Sequence, residues 1–185
     1  IGELLKQQDY QTKVGQIVDG YCIQHEVDVI ATKKNIQYLI ECKFHNDNSK
    51  QVNVQVPLYI HSRVNDIIRK RSAMKEYEGY DFRACIVTNT RFTLDAINYG
   101  VCSDLLLLSW NYPNGNSLRE LIEKYKFYPI TMLASINKTQ KSILIQNNVL
   151  LCKQLYDDKN LIDILNLKGH KLLNIKNEIN DLFAK

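Results

Sequence analysis

Two short segments hold the residues best suited to chemistry: Glu26-Val-Asp28 and Glu41-Cys-Lys43. Both lie in apolar stretches with strand-like alternation, and the polar Lys33-Lys34-Asn35 between them reads as a turn. With the turn centred between Lys34 and Asn35, facing residue numbers sum to 69. Asp28 then faces Glu41, and Glu26 faces Lys43. Opposed side chains in an antiparallel pair have Cβ atoms about 4.5–5.5 Å apart. Two carboxylates and an ammonium are therefore expected on one sheet face. Like charges placed opposite each other cost stability unless a cation offsets them. Mg²⁺ does this with one or two carboxylates, completing its octahedron with waters, and Mn²⁺ is the alternative ion. Lys43 projects from the same face as Glu41. It is placed to orient a water or to stabilise charge on a phosphoryl oxygen. Cys42 points to the opposite, apolar face and is expected as core, not as a nucleophile. A register slip of one residue would undo the arrangement. For Glu41 and Lys43 by themselves the plain alternative is a solvated strand face. The apolar flanks and the acid at the matching position argue for the site.

The elements that would position these residues alternate in type. Residues 1–9 read as the end of a helix. Strands are expected over 11–18, 24–32 and 36–44, then a polar loop over 45–51. A long helix is expected from about 53 to 76, with Ile60, Val64, Ile67 and Ile68 as its buried stripe. Pro57 is tolerated near its first turn. Residues 82–88 read as a buried strand, and Thr90 or Thr93 caps a helix to about 99. Another buried strand spans 104–108. Ser117 and Glu120 form a capping box for a helix to about 125. The expected class is α/β: a mixed sheet flanked by helices over 1–128, followed by a small all-helical domain over 129–185.

This order, with His25-Glu-Val-Asp-Val-Ile30, Leu39-Ile-Glu-Cys-Lys-Phe-His45 and Ile86-Val-Thr-Asn-Thr-Arg-Phe92, resembles the PD-(D/E)xK nuclease superfamily. Within it the chain is similar to Mrr-like restriction endonucleases, in particular the bacterial subgroup that often carries an upstream ATP-cone domain. The resemblance covers about residues 1–128. It implies a restriction-endonuclease-like fold and metal-dependent hydrolysis of double-stranded DNA. Asp28, Glu41 and Lys43 would be catalytic, with Asp28 and Glu41 holding the metal. Glu26, His45 and Gln55 would be accessory, and His25 flanks the same site. The family's further Glu on the first helix is matched here only by Glu3, so that acid is expected upstream of Ile1. Along the long helix, Arg63, Arg69, Lys70 and Arg71 are candidate contacts to a DNA backbone, as is Arg91; a solvated helix face is the alternative.

Residues 129–185 hold eight Lys and no Arg against five acids, about +3 of the chain's +4. Two apolar turns each lead into a helix, at 130–138 and 164–171. This resembles a degenerate tandem helix-hairpin-helix domain, in which backbone N–H groups at a helix start bind phosphate. Lys168, Gly169 and Lys171 would be the contacts. A helical packing or dimerisation domain is the alternative.

Composition excludes several classes. The chain is 45% hydrophobic and 24% charged, with seven Gly and three Pro, unlike collagen-like or disordered chains. No run approaches the roughly 20 apolar residues of a membrane span. Five scattered Cys without a CxxC pair argue against a zinc site. They fit buried or partly buried thiols in a reducing cytoplasm. The chain opens at Ile1 without a signal peptide, so a fragment or processed product is expected, with a nucleotide-binding domain upstream. Cutting both strands favours a homodimer. A non-catalytic nucleic-acid-binding or regulatory module, and an assembly domain, are the competing functions.

Overall fold

Strands β2 (Gln24–Lys33) and β3 (Ile36–Lys43) form the expected antiparallel hairpin. Val29 pairs with Ile40 and Lys33 with Ile36, which is the register expected from the turn. Lys34 takes the positive φ of 55° that the tight turn needs. The structure is a computed structural model that describes residues 1–184, in two compact units, Ile1–Glu120 and Leu121–Lys185.

The first unit is a mixed α/β layer. After α1 (Gly2–Lys6) comes β1 (Gln11–Asp19), antiparallel to β2. Two further strands, β5 (Asp81–Thr88) and β7 (Leu106–Leu108), add in parallel beside β3, giving the order β1-β2-β3-β5-β7. The parallel steps are bridged by α2 (Gln55–Arg71) and α3 (Leu94–Cys102), the latter capped by Thr93. Ile60, Val64 and Ile67 of α2 are buried against Ile30, Leu39 and Ile86, and Pro57 sits in the first turn. A small parallel pair, β4 (Gln51–Val52) with β6 (Arg91–Phe92), was not expected. Two-residue strands leave no period to detect. The Ser117–Glu120 capping box forms at α4 (Leu118–Lys124), with Ser117 Oγ donating to Glu120 at 2.6 Å.

Three expectations need correction. Helix α2 stops at Arg71 rather than 76. Arg71 is buried there under Tyr77, its guanidinium bonded to Gln37, and Tyr77 packs edge-on against Phe82. That aromatic cluster turns the chain back toward β5. It also removes Arg71 from any DNA-facing surface. The last strand begins at Leu106, because Asp104 takes a positive φ of 53° and Leu105 donates back to Gly100. Not all the thiols are buried or partly buried: Cys22 and Cys102 are exposed.

The β1–β2 turn is held by α2. Asp66 accepts from the Cys22 backbone at 2.9 Å and contacts His25 Nε2 at 2.8 Å. The hydrogen bond from His25, opposed by burial and helped by Cys22, pulls the Asp66 carboxyl down to about 2. This lies below the roughly 3.9 of an unfolded Asp, so the contribution to stability is full above about pH 4 and is lost as pH falls through 2. Asp66→Asn is expected to melt below wild type at pH 7, with the gap closing as pH falls from 4 to 2. A gap independent of pH in thermal melts would refute the clamp.

The second unit is all helical: α5 (Lys138–Gln146), α6 (Cys152–Asp157) and α7 (His170–Phe183), with two 3-10 turns, Ile130–Met132 and Lys159–Leu165. Leu133, Leu144, Leu155, Ile162 and Ile175 fill its core. Among the described residues, no helix is long and apolar enough to cross a membrane.

Candidate active site

The site lies at the carboxyl ends of the parallel strands β3 and β5, where Lys43 pairs with Thr88. Open α/β sheets bind ligands at such ends. Glu41 follows Leu39 on the face covered by α2, and only 7% of it is exposed. Its two oxygens are divided between two cations. Lys43 Nζ bonds Oε1, and Arg63 Nη1 donates to Oε2 at 2.7 Å. The same Nη1 reaches the Glu26 carbonyl at 3.0 Å, while Nη2 bonds the Tyr59 hydroxyl. A buried carboxylate needs such pairing, since an isolated charge is costly out of water.

Asp28 approaches from β2. The β1–β2 ladder skips Asp28 and Gly15, and Gly15 adopts φ 59°, a conformation that suits glycine. The alternation of β2 breaks there, because Val27 and Ile30 join one core cluster with α2. Asp28 is thus displaced from a plain cross-strand pair with Glu41. Its Oδ2 accepts from the Cys42 N–H at 2.7 Å. That N–H belongs to the peptide joining Glu41 to Cys42. The register matches the expectation, and the direct opposition on one face is replaced by this closer backbone contact.

Among the described residues, no three His, Cys, Asp or Glu side chains gather as metal ligands. Asp28 and Glu41 are the two acids at this end of the sheet; Asp28 Oδ2 accepts from Cys42, and both Glu41 oxygens bond cations. Cys42 is half-buried, and burial, with Asp28 and Glu41 adding, pushes its thiol up to about 11. It stays protonated at neutral pH and is no nucleophile.

The accessory candidates are spread more widely. The side chain of Glu26 is exposed, and it is its carbonyl that meets Arg63. His45 is pinned through its backbone: its N–H donates to Asn89 Oδ1 at 2.8 Å and its carbonyl accepts from Asn89 Nδ2 at 2.7 Å. Gln55 is exposed at the start of α2, near Asn53. Arg63 turns into the sheet instead of along the outer helix face, with its side chain 15% exposed. The signal was present in the sequence: it lies three residues after Ile60 and four before Ile67, on the buried stripe. Arg69 stacks on Tyr21 at 3.6 Å. Arg91 is exposed and lines a cleft of about 450 Å³ with Asn48, Asn89, Thr90, Trp110 and Asn111. Neither Asn89 nor Trp110 was singled out from sequence. Each depends on a loop contact across strands rather than on a local pattern.

In the second unit, the first hairpin spends its N–H groups internally. Glu178 of α7 accepts from Ala134 at 2.6 Å and from Ser135 at 2.9 Å. Burial works against this carboxylate, but those hydrogen bonds outweigh it and hold it below its ordinary range. The second hairpin is different. Gly169 takes φ 58° at the start of α7, and Lys168, Gly169 and Lys171 are all exposed.

Comparison with known proteins gives kinship. Residues 128–183 match the family described as AF1548-like, C-terminal. An uncharacterized protein of Archaeoglobus fulgidus is 31% identical over 153 residues, covering 83% of this chain and 82% of that protein. The crystal structure of AF1548, a protein of unknown function, aligns with TM-score 0.73 at 27% identity, over 100% of this chain and 95% of that one. Neither relative brings an activity with it. The extent and identity of the match make this chain a member of the AF1548-like family.

Proposed function

We propose that the chain is a divalent-metal-dependent endonuclease that hydrolyses DNA phosphodiester bonds, of the restriction type. The reading is carried by the Asp28 carboxylate seated on the peptide between Glu41 and Cys42. Asp28 and Glu41 would hold Mg²⁺ or Mn²⁺, which supplies a polarised phosphate and an activated water when bound. Lys43, 34% exposed at its side chain, places an ammonium beside that point. Its role is to orient the attacking water and to stabilise charge growing on the phosphoryl oxygens. Double-stranded DNA is the proposed substrate. Lys168, Gly169 and Lys171 offer a salt-dependent phosphate contact in the second unit.

One observation favours a second reading. Glu41 already has two cationic partners, so the acid is satisfied without a metal. A non-catalytic DNA-binding module on a nuclease-derived fold would look like this. Calorimetric titration of Mg²⁺ and Mn²⁺, beside an Asp28→Asn/Glu41→Gln variant, separates the two. Binding that the variant loses, with cleavage of supercoiled plasmid that it also loses, supports the nuclease. DNA binding with neither metal binding nor cleavage supports the module.

A further inference from the structure

The cleft lined by Arg91 and Trp110 is not explained by the two carboxylates and the lysine. It opens at the same carboxyl end of the sheet. Thr88, which pairs with Lys43, is followed directly by Asn89, Thr90 and Arg91 in its wall. Asn89 is also the residue that clasps the His45 backbone. The cleft therefore continues the candidate site along the sheet edge.

Its lining is unusual for a surface hollow. Trp110 is 41% exposed, although indoles are mostly well buried. Its backbone is fixed on both sides. The Trp110 N–H donates to the Thr90 carbonyl at 3.2 Å, and its carbonyl accepts from Arg119 at 3.3 Å. Arg91 is equally constrained, because β6 pairs with β4 and Thr93 donates to Val52. Two amide side chains, Asn48 and Asn111, complete the wall beside Asn89, whose own amide is engaged by the His45 backbone. An exposed indole on a fixed backbone offers a stacking platform, a guanidinium offers charge to a phosphate, and amides read base edges. The volume of about 450 Å³ suits a small ligand, not a duplex.

We infer that this cleft binds an unstacked nucleotide of a DNA strand, adjoining the phosphate handled at Glu41 and Lys43. The inference rests on the nuclease reading and narrows its substrate: DNA with unpaired nucleotides near the cut binds better than blunt duplex. The base stacks on Trp110, and Arg91 holds its phosphate.

Trp110 is the sole tryptophan of the chain, so its fluorescence reports this cleft directly. The test titrates the whole chain, in EDTA to prevent cleavage, with a 12-nucleotide DNA strand, its blunt duplex, and a deoxynucleoside 5′-monophosphate. The single strand is expected to quench Trp110 at concentrations about tenfold or more below those of the other two. Arg91→Ala should weaken that quenching about tenfold. Trp110→Ala should weaken strand binding by a similar factor, read by anisotropy of a labelled strand. Equal quenching by blunt duplex or by the mononucleotide overturns the assignment, as does no quenching at all. The two readings fail separately. Strand quenching in a protein that cuts no DNA keeps the cleft and removes the nuclease. Blunt-duplex cleavage lost in Glu41→Gln, with Trp110 silent toward every probe, keeps the nuclease and removes the cleft.

Discussion

Lys43→Ala is expected to slow DNA cleavage by about 10²–10⁴-fold, the usual range for a positioned proton-handling or charge-stabilising group. DNA affinity should change little. The side chain sits on Glu41, inside the acidic site, and is a single charge. Its contribution would be made where charge develops on the phosphoryl group, so kcat should fall while KM holds. Asp28→Ala and Glu41→Ala should abolish cleavage with DNA binding retained. Replacing exposed Lys50, in the loop after β3, should change nothing. Single-turnover plasmid cleavage and strand anisotropy read the two effects separately. Unchanged cleavage in all three site variants would end the nuclease reading.

The hairpin register was legible because a short polar turn and period-two alternation fix it together. The sheet layout followed as well, since long apolar strands and one long amphipathic helix leave few ways to pack. The contacts that shape the site were harder to read. The placement of Asp28 depends on a break in the β1–β2 ladder at Gly15, nine residues after a helix end and across a strand pair. No local pattern encodes it. Arg63 shows a different failure. A charged residue on a helix is ordinarily solvated, yet burial of Glu41 draws this one inward. The expectation followed the commoner case, although the stripe of Ile60, Val64 and Ile67 already placed Arg63 on the inner face. Pro129 marks the change to helices in sequence, while contacts divide the chain at Glu120 and Leu121.

Arg63→Met should lower stability in EDTA by about 3 kcal/mol, the low end for breaking a buried ion pair, because Lys43 still faces Glu41. The loss is more than one bond. Arg63 holds Glu41, the Glu26 carbonyl and the Tyr59 hydroxyl at once, and its guanidinium lies 4.6 Å from the Tyr59 ring centroid. Without it, half of a nearly buried carboxylate faces apolar neighbours. Two controls isolate the charge. Glu41→Gln/Arg63→Met should lose much less than the sum of the single variants, since a neutral amide needs no counter-ion. Mg²⁺ or Mn²⁺ should restore part of the stability of Arg63→Met, because a ligand that binds only the folded state adds RT ln(1 + [L]/Kd). The recovery should exceed any gain in wild type, where Arg63 occupies Glu41 Oε2 and competes for the acid. Urea melts in EDTA and in each metal measure all of these. Destabilisation of Arg63→Met that neither metal reduces would mean that Glu41 is a structural acid held by two cations. That outcome would favour the non-catalytic module.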